Sequence, residues 1–122
     1  MIKTTLKPWG KFDQYALNEK VTVKIITVKK GGILSLQSHK NRKEFWVALD
    51  DGLTAVVGNK KIKLKKGETI NVPKKAKHRI MASKTMKAKE ARFLEIAYGN
   101  FDENDIVRYD DAYGRADKGG KK

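Results

Sequence analysis

The sequence predicts an all-β domain, a sandwich or barrel of short strands. Three observations lead there. Short runs rich in β-branched residues recur along the chain, glycine-containing turn signals separate them at regular intervals, and helical signals are nearly absent. Residues 21–28 read VTVKIITV and stop at Lys30-Gly31-Gly32, which predicts a first strand and a turn. A second strand is expected over 33–39. Lys40 to Lys43 then forms a polar turn, and 44–49 a third strand. Asp50-Asp51-Gly52 turns the chain into 53–57, and Gly58-Asn59 is a hairpin signal leading to 62–64. Strands follow over 69–72, which Pro73 ends, over 78–82 and over 92–98. The Lys-rich stretch 84–90 reads as a solvated loop. Asp102 to Arg108 opens with an acidic cap-like group and is expected to form one short helical turn. One domain over 1–115 and a frayed basic tail over 116–122 complete the expectation.

Composition sets limits on function. At 122 residues a single core forms without staples. The absence of Cys excludes a disulfide scaffold, a thiolate metal site and a Cys nucleophile together. No apolar run approaches the roughly 20 residues of a membrane span, and the first residues lack the apolar segment of a signal peptide. A soluble, cytoplasmic protein is expected, with no membrane partner. The chain carries 28 Lys and Arg against 14 Asp and Glu, a formal charge of +14, which invites a nucleic-acid reading. The distribution speaks against it: Arg is scarce, and Lys60, Lys61, Lys63, Lys65 and Lys66 surround Ile62 and Leu64 as on the wet face of a strand. The charge does favour anionic ligands in general, sugar phosphates among them.

Both histidines stand beside other metal-ligand types. Gln37 and His39 lie two apart in one strand and share a face. Glu44 follows after a short turn, and His78 opens a later strand beyond Pro73. Converging inside a barrel, these four offer imidazole nitrogen and amide or carboxyl oxygen, a set that suits one divalent ion: zinc, manganese, iron, cobalt or nickel. Ordinary surface or core histidines, and a Gln37 amide bonded to backbone, are the plain alternatives.

The spacing Gly31-x5-Gln37-x-His39-x4-Glu44 resembles the first cupin motif, and Gly67-x5-Pro73-x4-His78 resembles the second. The resemblance implies a double-stranded β-helix, or jelly-roll barrel. It extends to the type II phosphomannose isomerase domain: Lys7-Pro8-Trp9-Gly10 is similar to that family's entry, Leu34-Ser35-Leu36-Gln37-Ser38-His39 with Arg42, Glu44 and Trp46 to its central signature, and Asp105-Ile106-Val107-Arg108 with Asp111, Tyr113, Gly114 and Arg115 to its ending. Four positions depart from the patterns. Asn41 stands where many relatives carry His, Asp51 replaces a closing Gly, Lys75 replaces the Gly of the second motif, and Ala82 replaces a trailing Asn.

The resemblance implies metal-dependent interconversion of mannose 6-phosphate and fructose 6-phosphate, with zinc the foremost metal. Gln37, His39, Glu44 and His78 are then the metal ligands, and a phosphorylated sugar the partner. Glu95, mid-strand among apolar neighbours, is a candidate base; an ion pair with Arg92 or Arg108, or an outward side chain, are its alternatives. Arg108 matches a motif position and is a second catalytic candidate, with a structural role equally open. Arg42, in the turn beside the metal mouth, is placed to grip a phosphate in bidentate fashion. Arg79 is a weaker phosphate candidate. Trp46 either walls the pocket or fills core. A twofold homodimer through edge strands is expected, with the segment around Trp9 contributing. The competing reading is a non-catalytic cupin that binds a sugar or sugar phosphate.

Overall fold

The computed structural model describes residues 2–115 and contains eleven strands, with no helix among the described residues. The expected 116–122 tail lies outside them. Strands β1 (Lys3–Lys7) and β2 (Gly10–Gln14) form a hairpin of their own. The remaining strands are β3 (Val21–Lys29), β4 (Leu36–Ser38), β5 (Lys43–Ala48), β6 (Leu53–Val57), β7 (Lys60–Leu64), β8 (Thr69–Val72), β9 (His78–Ala82), β10 (Glu90–Tyr98) and β11 (Val107–Asp110). They form two antiparallel sheets, one ordered β3-β10-β5-β8 and the other β11-β4-β9-β6-β7.

The alternation of side chains along each strand closes the barrel. Trp46, Ala48, Phe93, Ala91, Val28 and Val72 point inward from one sheet and meet Leu53, Ala55, Leu64, Ile80 and Ala82 from the other. This apolar cluster fills one end. Inward positions at the other end are polar or charged, and the site lies there.

Three elements differ from the sequence reading. The stretch 33–39 is not one continuous strand. Ile33 makes an isolated bridge to Met81, whereas Gln37 pairs with His78, so the register slips by one residue between them. Such a bulge re-aims side chains, and both Leu34 and Gln37 consequently line the inner cavity. The segment 102–108 is not a helical turn. Asp105 N–H donates to the Asp102 carbonyl (3.0 Å) in a single tight turn, and the chain extends at once into β11 beside β4. The β1–β2 hairpin was not expected as a pair of strands. Trp9 at its tip is 73% exposed.

Two departures from the motifs find physical explanations. Lys75 takes φ +68°, the left-handed conformation of the glycine it replaces, and donates its N–H to the His39 carbonyl at 2.7 Å. The loop before His78 thus keeps its path. The closing glycine is displaced to Gly52, at φ +104°, where a Cβ would stand 2.8 Å from the Met86 sulfur.

Candidate metal centre

Cross-strand register assembles the site. Val57, His78, Gln37 and Arg108 are successive partners across β6, β9, β4 and β11, and directly paired residues share a face. On the facing sheet Lys24, Glu95, Trp46 and Ile70 form one inner row, with Ala97, Glu44 and Val72 in the next. The two sheets enclose a cavity of about 180 Å³ lined by Gln37, His39, Glu44, His78, Glu95 and Arg108 among others. A larger cleft of about 1040 Å³ elsewhere, walled by Leu53, Leu64 and Met86, contains neither histidine.

His39, Glu44 and His78 are buried and offer ligand atoms that all lie within 4.8 Å of one another. His39 Nε2 is 3.4 Å from Glu44 Oε2, and His78 Nε2 is 3.9 Å from Glu44 Oε1. The opposite ring nitrogens are committed outward. His39 Nδ1–H donates to the Asp105 carbonyl at 2.6 Å, and His78 Nδ1–H to the Ala76 carbonyl at 3.0 Å. These bonds assign the tautomers and leave both Nε2 atoms on the cavity side, near Glu44, the orientation that backbone carbonyls give metal-bound histidines. Burial also holds both imidazoles below the ordinary histidine value, against the pull of the Glu44 carboxylate, so both are neutral donors at pH 7. This donor set fits a divalent ion held by nitrogen and oxygen, and Gln37 lines the same cavity in register with His78.

Neighbouring groups hold the carboxylate. Trp46 Nε1–H donates to Glu44 Oε1 at 3.0 Å and Arg42 Nε–H to Glu44 Oε2 at 3.1 Å. Trp46 is therefore both core and cavity wall, edge-on to His78 with ring centroids 5.5 Å apart. Arg42 is buried and stacks on Phe101, its guanidinium carbon 4.2 Å from the ring centroid. It sits over the centre itself, deeper than a turn residue at the mouth. Asp105 was not singled out as a site residue by the sequence reading. Its carboxylate accepts the N–H groups of Lys40 and Asn41, both at 2.9 Å, and fixes the turn that carries His39 to Arg42.

Glu95 faces inward and is buried. Burial, with the Glu44 charge added, pushes its carboxyl up to about 7. Arg92, a proposed ion-pair partner, instead binds Asp50 at 3.0 Å. Arg79 borders the same cavity, with its guanidinium held at the rim: Nε–H donates to the Leu34 carbonyl (3.1 Å) and Nη2–H to the Asp110 carboxylate (3.0 Å), tying β9 to β11. Its register opposite Val56, one residue out of phase with His78, gives the reason.

Residues 1–111 match the family described as mannose-6-phosphate isomerase C-terminal. The chain belongs to that family. It is 36% identical over 117 residues to mannose-1-phosphate guanylyltransferase ManC of Salmonella typhimurium, covering 94% of this chain and 24% of ManC. Against xanthan biosynthesis protein XanB of Xanthomonas campestris it is 33% identical over 110 residues, covering 89% and 23%. Against alginate biosynthesis protein AlgA of Pseudomonas aeruginosa the figures are 31% over 110 residues, 89% and 22%. The chain thus spans less than a quarter of the length of these relatives. A cupin protein from Bacteroides fragilis superposes with a TM-score of 0.58 at 22% identity, covering 70% of this chain and 72% of that one. The nucleoside dehydratase Pac13 does so with 0.63 at 12% identity, covering 90% and 86%. The fold of this family member is the cupin barrel. No described helix is long and apolar enough to cross a membrane.

Proposed function

We propose that the chain is a metal-dependent sugar-phosphate isomerase interconverting mannose 6-phosphate and fructose 6-phosphate. The observation that carries the reading is the meeting of two neutral imidazole Nε2 atoms near one buried carboxylate, with a second carboxyl, Glu95, in the same cavity. Family membership and the polysaccharide-biosynthesis names of its relatives support the substrate class.

A divalent ion held by Gln37, His39, Glu44 and His78, zinc first among candidates, would supply Lewis-acid stabilisation of negative charge on substrate oxygen. With Gln37 neutral, Glu44 would be the only anionic ligand of the four, which would leave a bound ion strongly polarising. Glu95 takes the proton from C2 of the aldose and returns it to C1, while the C2 hydroxyl and C1 carbonyl exchange roles through an enediol. Lys24, Arg42 and Arg108 line the cavity and oppose the charge of the phosphate.

Pairing into a twofold homodimer is part of the proposal. Among the described residues β3 is a sheet edge of nine residues exposing Val23 and Ile25, and a two-stranded hairpin standing alone is marginal in water. Sedimentation is expected to show a dimer that strengthens with salt, because two chains of +14 repel; a monomer at every salt concentration removes this part.

The catalytic reading is tested by a coupled assay for fructose 6-phosphate formed from mannose 6-phosphate, before and after chelation. Turnover that disappears with chelator and returns with metal is expected, and H39A should abolish it. Saturable binding of mannose 6-phosphate without turnover in the metal-loaded chain points instead to a non-catalytic sugar-phosphate module.

A further inference from the structure

Arg42 makes a contact that competes with metal. Its Nη2–H donates to His39 Nε2 at 3.2 Å, while Nε–H reaches Glu44 and Nη1–H the Asp102 carbonyl at 3.3 Å. A carboxylate oxygen has two lone pairs and accommodates a guanidinium and a metal together. An imidazole nitrogen has one. Since His39 Nδ1 is committed to Asp105, the Nε2 lone pair that a metal needs is the one that accepts the Arg42 proton.

We propose that Arg42 is a displaceable internal cation: metal binding at His39 releases its guanidinium into the cavity, where it grips the anionic group of the ligand. This rests on the metal reading above and adds a coupling to it. The released fork remains stacked on Phe101 and turns toward a cavity already lined by Lys24 and Arg108. Guanidinium and phosphate match in bidentate geometry. Metal and anion therefore bind with positive cooperativity, and by linkage each raises the affinity of the other by the same factor. The arrangement also keeps Glu44 paired in the metal-free chain, where an isolated buried carboxylate would be costly.

The experiment is isothermal titration of Co²⁺ into the metal-free chain, with and without saturating sorbitol 6-phosphate, a polyol phosphate that has no carbonyl to isomerise. The wild type is expected to bind Co²⁺ at least about 5-fold more tightly when the phosphate is present, the low end of common coupling. R42M, freed of the competing hydrogen bond, should bind Co²⁺ about 10-fold more tightly than wild type without phosphate and show no coupling. R42K, which keeps a cation without the fork, should fall between the two, and circular dichroism of both variants reports whether they have kept the fold. Weaker Co²⁺ binding by a folded R42M, or by R42K, overturns the inference, since Arg42 would then be supporting the ligands; so does a wild type without coupling. A wild type that takes up no Co²⁺ at all overturns the metal reading itself, a separate outcome.

Discussion

Trp46 and Glu44, two residues apart on β5, are joined side chain to side chain: the indole N–H donates to Glu44 Oε1 at 3.0 Å, and both are buried. Strand parity puts them on one face, and the hydrogen bond fixes the carboxylate plane against the two imidazoles. Packing and chemistry meet in this pair, because the same indole also lies 5.4 Å from Phe93 at the centre of the core.

Replacing Trp46 by Phe keeps most of the apolar volume and removes the donor. Metal affinity is expected to fall about 10-fold, the lower range for loss of a group that orients a ligand. Global stability should drop by about 1–3 kcal/mol, because Glu44 Oε1 loses a buried partner. Metal titration and denaturant unfolding of W46F measure the two effects; unchanged metal affinity would show that the indole does not orient the carboxylate.

Asp105 clamps the turn between the first two proposed ligands. D105A leaves its backbone carbonyl for His39 but deletes two charge-assisted bonds to Lys40 and Asn41. A loss of about 2–3 kcal/mol is expected. Amide hydrogen exchange should quicken at Lys40 and Asn41 first, and protection equal to wild type there would refute the clamp.

Most strands were legible in the sequence, since 21–28, 53–57, 69–72 and 78–82 carry β-branched residues between clear turn signals and reappear as β3, β6, β8 and β9. The β1–β2 hairpin was not, because Lys3 to Gln14 mixes Lys, Thr and Gln and has no buried face to impose a period. β11 hid behind Asp102-Glu103-Asn104, whose acidic character imitates a helix cap while Asp105 serves the neighbouring turn. At the site, residue types and spacing brought Gln37, His39, Glu44 and His78 to notice. That Gln37 shares a cavity with His78 depends on the register slip before it, which no local pattern announces. Arg79 shows the same limit: it borders the cavity beside His78, but the Leu34 carbonyl and the Asp110 carboxylate hold its guanidinium.

Lys75 holds a left-handed backbone at φ +68°, a conformation that costs a non-glycine residue about 1–2 kcal/mol. Glycine relieves that strain but gives back part of it through a more flexible unfolded chain. K75G is expected to gain about 0.5–1 kcal/mol in urea unfolding without disturbing the bond to the His39 carbonyl. A destabilised K75G would mean that the Lys75 side chain contributes more than its backbone costs.

The ending motif proves to be a clip. Asp111 accepts bonds from the Arg115 side chain at 2.7 Å and from the backbone N–H groups of Tyr113 and Arg115, and these hold its carboxyl down at about 2. Its folded value lies below the ordinary 3.8, so its contribution is present in full above pH 4 and is lost as pH falls toward 2. Carboxyl titration by NMR should give a midpoint near 2 in wild type and a higher one in R115M, still short of the ordinary 3.8 because the backbone N–H groups of Tyr113 and Arg115 remain. Equal midpoints would show that Arg115 does not hold the turn.

The claim beneath all of this is that His39 and His78, with Glu44 and Gln37, close on one cation. Metal content of the purified chain after extensive dialysis, measured by mass spectrometry beside the H39A/H78A double variant, tests it most directly. About one equivalent per chain in the wild type and almost none in the variant is the expected result; equal retention by both would place the metal elsewhere and contradict the account.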